Sequence, residues 1–328
     1  MTYTGQKEDS FEDAEQTLKK YLDIDVSSTQ IQIISEKVGK LLFDKDMTEA
    51  NRICNETYGD LDYKEVYKQQ QEHCGLTNKS SMLYIFADGS MLSMKGASNW
   101  KEIKLGLVVR GDDVCIKSEE NMVLYKKEYV SYLGNKDEFK KLLFAAAVKA
   151  GYNSNMKVVA IADGASWIWT MFEELFPGCV KILDFYHFSE NVHKYATFAY
   201  PEDEVSRKRW VNNIFDLAYA NNVDEILDEI TKIRKVEIKL PKGVVNLHNY
   251  ISDKRDMINY KEFKNKGYII GSGAIESGNK LVIQRRLKQS GMHWSTDGAQ
   301  YIAKLRTKYK SDMWYKVLQC IDEDFLVG

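Results

Sequence analysis

From Met82 onward the apolar residues fall in an order that few folds can accommodate. MLYIFAD reads as a buried strand closed by Asp88, and Ile103, Leu105, Leu107 and Val109 alternate as a half-exposed second strand does. MVLY with KEYVSYL supplies a third strand. Phe139, Leu142, Leu143, Ala146, Ala147 and Ala150 then recur at i, i+3, i+4, i+7, i+8 and i+11, one face of a helix. KVVAIAD is a fourth strand, closed by Asp163. A helix through Ile168, Phe172, Leu175 and Phe176 stops at Pro177-Gly178, and CVKILDF is a fifth strand. The succession is strand, strand, strand, helix, strand, helix, strand.

Three antiparallel strands extended by parallel ones through right-handed crossovers make an α/β, ribonuclease H-like mixed sheet flanked by helices. In that sheet the first and fourth strands are neighbours, so Asp88 and Asp163 are expected side by side at strand carboxyl ends, where open α/β sheets place their sites. The rest of the chain divides around this core. Residues 1–80 read as a helical N-terminal segment, with one helix through FEDAEQTLKKYL and a second, IQIISEKVGKLLF, started by a capping box of Ser27 and Gln30. Joined by DVSST, the two are a possible helix-turn-helix, with a packing or dimerisation arm as the competing reading. The polar stretch TNKSS at 77–81 is the expected boundary to a core over 81–187. An all-helical insertion over 188–266 follows. Residues 267–328 then return to the sheet as a catalytic helix and basic helices, with Gly271 and Gly273 easing a tight start and Ser272 a cap candidate.

With 328 residues and 44% hydrophobic content the chain can bury a sizeable core. Its longest apolar run, LLFAAAV at 142–148, is far short of the roughly 20 residues of a membrane span. MTYTGQKEDS lacks the apolar stretch of a signal peptide, so a cytoplasmic, nucleoid-associated location is expected. Cys54, Cys74, Cys115, Cys179 and Cys320 include no C-x-x-C pair, which argues against a zinc knuckle and a disulfide framework. The net charge of -2 gives no sign of a polyanionic partner, but its distribution does. Residues 261–310 carry 11 Lys and Arg against three acids, Glu262, Glu276 and Asp297, whereas residues 1–80 carry 10 basic and 16 acidic residues. Beside a metal-binding carboxylate, such a basic stretch is a path for a phosphate backbone; alone, it is a solvated helix face.

Three acids are placed for chemistry. Asp88 and Asp163 end strands, and Glu276 lies in GSGAIES at the start of a helix. Mg²⁺ prefers carboxylates and water, so Asp88 bridging two ions with Asp163 and Glu276 holding one each would make a two-metal phosphoryl-transfer site, with Mn²⁺ an alternative ion. The competing reading is three acids that cap turns and a helix. Asp184 and His187, in LDFYHF, follow the fifth strand and could orient a scissile phosphate; Asp184 is also the rival to Asp163 as second metal ligand. Lys280, one turn beyond Glu276, and Arg285, Arg286 and Lys288 are candidate phosphate clamps, and Trp294 in GMHWS a candidate platform for an unpaired base, or else a buried loop aromatic. Asp112 and Asp113 read as a turn.

Taken together, ADG, IADGASWIW, ILDFYH, GSGAIES, RRLKQSGMHWS and GAQYIAKLR resemble the DDE transposases of bacterial insertion sequences. The likeness is to their Mutator-like group and within it the ISLre branch, with the ISKra branch similar, and it covers residues 12–320. The resemblance implies a ribonuclease H-like catalytic domain, metal-dependent cleavage and strand transfer at element ends, double-stranded DNA as partner and a homo-oligomer on that DNA. It places the second catalytic Asp at Asp163, the C/D-x-x-H signature at Asp184 and His187, and the final Glu at Glu276. Members of the group carry more sequence ahead of this region, so end recognition by an N-terminal DNA-binding part is expected to be reduced or missing. A domesticated DNA-binding protein, or a nuclease without strand transfer, is the alternative.

Overall fold

The structure, a computed structural model, describes residues 1–58, 82–96, 100–118, 121–233 and 240–327. The expected boundary at 77–81 lies outside the described residues. In chain order the elements are α1 (Thr2–Lys7), α2 (Phe11–Leu22), α3 (Ser28–Tyr58), β1 (Met82–Ser93), β2 (Trp100–Arg110), β3 (Val114–Ser118), β4 (Asn121–Leu124), β5 (Glu128–Leu133) and α4 (Lys136–Lys149). They continue with β6 (Lys157–Ala162), α5 (Ser166–Leu175), β7 (Val180–Leu183), α6 (Phe185–Ala199), α7 (Glu204–Tyr219), α8 (Val223–Ile233), α9 (Leu247–Ser252) and α10 (Tyr260–Asn265). Last come α11 (Gly273–Gly278), a π-helical stretch (Asn279–Gln284), α12 (Arg285–Leu287), α13 (Thr296–Lys310) and α14 (Trp314–Val327).

Five strands form one mixed sheet in the order β5-β2-β1-β6-β7, the ribonuclease H-like order of three antiparallel strands extended by two parallel ones. The described residues fall into two compact units. One comprises 1–158, 171–178 and 274–328; the other comprises 159–170 and 179–273.

In the first unit the capping box forms as read: Gln30 N–H donates to Ser27 Oγ and Ser27 N–H to Gln30 Oε1. The helix it starts is longer than the sequence pattern indicated, 31 residues, and packs against α4 and α13. Ser10 caps α2 and Asn135 caps α4, each side chain accepting from the backbone N–H three residues on. Phe139, Leu142, Leu143, Ala146 and Ala147 are buried, as their spacing required.

Three strand readings need correction. β1 does not stop at Asp88 but runs on to Ser93, because β2 keeps pairing with it through Ser93 and Trp100. β2 is not half-exposed: residues 103–109 are all buried, because the strand lies inside the sheet and α4 packs on it. Even Lys104 lies inside, where its ammonium donates to Glu102 Oε2 at 2.7 Å and Gly134 O at 2.7 Å. Finally, Met122, Val123 and Leu124 of MVLY belong to β4, which pairs with β3 in a separate two-stranded ribbon, so the third strand of the main sheet is β5 alone. Asp112 and Asp113 occupy a 3₁₀ turn leading into that ribbon.

The second unit joins the parallel pair β6 and β7 to helices α6 to α10. Its core is aromatic: Phe185, Phe188, Phe215, Tyr219 and Tyr260 meet with ring centroids 5.2 to 6.2 Å apart. The Tyr260 hydroxyl, fully buried, donates to Leu183 O at 3.0 Å and so ties α10 to the end of β7. Burial holds that phenol well above its ordinary pKa. Among the described residues no helix is long and apolar enough to cross a membrane.

Candidate active site

Each unit gathers one set of the acids singled out by the sequence. In the first, β1 is buried from Leu83 to Ala87, Asp88 and Gly89 are half-exposed, and Ser90 and Leu92 beyond them are buried again. Gly89 N–H donates to Asp88 Oδ1 at 2.7 Å, and Asn279 Nδ2 donates to Asp88 Oδ2 at 2.5 Å. Asn279 is three residues beyond Glu276 on the same continuous helical segment, so this bond brings the Glu276 helix to Asp88. Gly278 makes the approach possible: a Cβ there would stand 2.4 Å from Tyr129 Cε1 of β5. The Tyr129 hydroxyl points back at Ala274 O, 3.4 Å away, and burial raises its pKa to about 12.

In the second unit Ala162 pairs with Leu183 across the parallel strands, and Asp163 and Asp184 are the next residues on each. Asp184 N–H donates to Ala162 O at 2.9 Å. The two side chains are used differently. Asp163 is half-buried, and its Oδ1 accepts from Ala165 N–H at 2.9 Å within its own turn. Asp184 is fully buried. It caps α6 by accepting from Tyr186 N–H at 3.2 Å and His187 N–H at 3.0 Å, and it accepts from Ser272 N–H at 2.6 Å. With Phe185 N–H donating to Ile270 O, Asp184 fastens the GSG segment ahead of the Glu276 helix to the end of β7. His187 is half-buried; its ring nitrogens stand 3.9 Å from Asp184 Oδ2 and 3.8 Å from Glu190 Oε2, outside hydrogen-bonding distance.

Tyr250 and Lys254 come from the insertion and close over the Asp163 turn, and the sequence pattern did not single them out. A Cβ on Gly164 would meet Tyr250 Cε2 at 2.4 Å and Lys254 Cε at 3.1 Å. Lys254 Nζ lies 4.7 Å from the Tyr250 ring centroid, a cation-π contact. Burial lowers the Lys254 pKa, with Asp253 and Asp163 opposing, and burial raises that of Tyr250. No local pattern marks these residues; only the Asp-Gly dipeptide hints that a side chain must approach closely.

The basic stretch resolves into two kinds of residue. Lys280, Arg285 and Lys288 are exposed; Arg285 pairs with Asp9 at 2.6 Å, and Lys288 donates to Ser90 Oγ at 3.3 Å. Arg286, read from sequence as a phosphate clamp, is fully buried instead. It donates to Gly5 O and Asp9 O and stacks 4.0 Å over the Phe11 ring, because its position on the segment faces α1 and α2. Burial lowers its pKa to about 10, Arg306 adding to the effect. Trp294 is likewise no stacking platform: it is 7% exposed, and its indole N–H donates to Leu287 O at 3.1 Å. Lys304, Arg306 and Lys308 on α13 are also interior. Lys304 and Lys308 pair with Asp46 of α3, Lys308 also with Glu128 at 2.9 Å, and Arg306 donates to Gln6 O and Leu281 O. Four of the 11 cations in 261–310 therefore serve the core.

Strand order and helical insertion define an α/β protein of the ribonuclease H-like class. Within it, the chain belongs to the uncharacterised protein family UPF0236, which matches residues 35–319. A UPF0236 protein of Caldanaerobacter subterraneus subsp. tengcongensis is 27% identical over 258 residues, covering 77% of this chain and 50% of that protein. The chain thus spans about half the length of the curated relative it matches. Among solved structures, the Drosophila P element transposase strand transfer complex aligns over 90% of this chain and 98% of that one, at 9% identity and a TM-score of 0.37. The ribonuclease H-like class is defined by the strand order β5-β2-β1-β6-β7.

Proposed function

We propose that this chain is a DDE-type transposase of bacterial insertion sequences, Mutator-like and of the ISLre branch, that cuts and joins double-stranded DNA at element ends. The observation that carries the reading is the bond from Asn279 to Asp88, which sets the Glu276 helix against the one carboxylate of β1, half-exposed directly after the buried run 83–87. In the proposal Asp88, Asp163 and Glu276 hold two Mg²⁺ ions, for which Mn²⁺ can substitute. Their oxygen donors are of the hard type those ions take, and cysteine is absent from the set. Bound there, the metals would activate the attacking oxygen and stabilise the leaving one. Asp163 is preferred to Asp184 as second ligand because Asp184 already accepts three backbone N–H bonds and Asp163 one. His187, at the first turn of α6, is assigned to the scissile phosphate, and Lys280, Arg285 and Lys288 to the DNA backbone. Two further observations support the reading. The motifs over 12–320 resemble that group, and the relative's name joins eleven numbered designations, as expected of a gene copied around a genome. We place the protein on the nucleoid, as a homo-oligomer assembled on DNA.

The test uses the full chain, Mg²⁺ and DNA that flanks the gene on both sides, with cleavage, joining and binding measured in parallel. D88N, D163N and E276Q each keep side-chain size and remove charge, so each is expected to abolish cutting and joining while retaining DNA affinity. Activity in D88N or E276Q sinks the two-metal assignment; full activity in D163N with none in D184N exchanges the second ligand. Cutting without joining by the wild type selects the nuclease alternative, and binding without either selects a domesticated DNA-binding protein.

A further inference from the structure

We infer that Asn279 is a positioning residue for the metal carried by Asp88, and that its amide oxygen accepts a hydrogen bond from a metal-bound water. The inference rests on the metal reading of Asp88 proposed above. Asn279 is 6% exposed and sits at the first position of the π-helical stretch, three residues beyond Glu276. Its two amide atoms have unequal surroundings. Nδ2 donates to Asp88 Oδ2 at 2.5 Å, whereas Oδ1 is buried and has no hydrogen-bond partner among the described residues. The reverse orientation would set an amide oxygen against a carboxylate oxygen, two acceptors face to face, so the carboxylate fixes the amide. With Gly89 N–H on Asp88 Oδ1, each oxygen of Asp88 has a donor that holds it in place.

The π stretch explains how the amide gets there. An i→i+5 turn widens the helix by one residue, and such turns concentrate at functional sites. Here it begins directly after Gly278, the residue that lets the segment press against Tyr129. A buried acceptor without a donor is an uncompensated desolvation, tolerated where a ligand supplies the donor. Water on a divalent cation is such a donor, since the cation polarises its O–H bonds and the ion lies, in this reading, on the carboxylate that Asn279 already grips. Partners of this kind typically change metal affinity about 10–100-fold when removed.

The experiment is Mn²⁺ binding to the full chain without DNA, followed by the electron paramagnetic resonance of the free ion, with thermal melting recorded in metal-free buffer. N279L is expected to weaken Mn²⁺ binding about 10–100-fold and to leave the metal-free melting temperature equal or higher, because the orphaned oxygen is gone. N279D covers the case in which N279L does not fold. It sets a carboxylate beside Asp88, so the metal-free protein should melt lower and Mn²⁺ should raise its melting temperature more than it raises that of wild type. Wild-type Mn²⁺ affinity in N279L, with or without a lower metal-free melting point, overturns the role of Asn279, as does an unchanged Mn²⁺-induced rise in N279D. A wild type that takes up no Mn²⁺, or a D88N variant that binds it normally, overturns the metal reading of Asp88 and this inference with it.

Discussion

Asp46→Asn tests the interior charges most directly. Asp46 stands 13% exposed on α3, facing Lys304 and Lys308 of α13, whose side chains are 1% exposed. Burial pushes the Asp46 carboxyl up, but the two ammonium groups outweigh it and hold the group far below the usual carboxylate range. Removing its charge leaves Lys308 with Glu128 and strips Lys304 of its ion pair. Breaking a buried pair in this way costs about 3–5 kcal/mol. At roughly 2–4 °C per kcal/mol for a cooperative unit of this size, melting should fall by about 10 °C near pH 7. D46N/K304M removes both partners and should recover most of the loss. The depressed pKa also fixes the sign with pH. Stabilisation by Asp46 is complete above its unfolded value of about 4 and is lost as pH falls below it, so wild type and D46N should converge in acid. Calorimetry at pH 7 and at stepped lower pH checks each point. A D46N protein within about 1 kcal/mol of wild type at pH 7 would refute the argument, since a solvated pair contributes no more than that.

The basic segment and the docking of the Glu276 helix give two more predictions. R286A should melt well below wild type as its packing on Phe11 disappears, whereas K280A, R285A and K288A should melt normally and together flatten the dependence of log DNA affinity on log salt by up to about 0.9 for each phosphate the three side chains neutralise. An unchanged slope in the triple variant would place DNA elsewhere. G278A brings a methyl against the Tyr129 ring and should cost about 1–3 kcal/mol in chemical denaturation, partly restored by Y129L; wild-type stability would mean that the ring yields freely.

Much of this architecture is legible in the chain because local pattern and burial agree. The capping box at Ser27 and Gln30, the α4 face and the strand KVVAIAD are set by neighbours a few residues away, and each stands as its pattern required. Reading fails where partners are distant. The Asp-Gly pair at 88 and 89 looks like a strand end, yet the ladder with β2 carries β1 through it. Arg286, Lys304, Arg306 and Lys308 look like a basic surface, because sequence records a charge and not the carbonyl or carboxylate that meets it across the fold. MVLY has the composition of a sheet strand, and only pairing assigns it to a ribbon. Asn279 was within reach: an amide three residues past a candidate metal ligand on a helix faces the same way.

The π-helical stretch has a meaning for the chain as an aligned text. Its wider turn holds one residue more than an α-helix would, so to its two ends it behaves as a single-residue insertion. Glu276 and Asn279 lie at or before its start, Arg285 and Arg286 after its end. Deleting one residue between 280 and 284 would let the segment wind as plain α-helix while the residues downstream kept their faces. Arg286 would still reach Phe11, one position nearer in sequence to Glu276. Relatives that differ by one residue here are therefore to be compared by which side chain reaches α1 and α2, and not by counting forward from the glutamate.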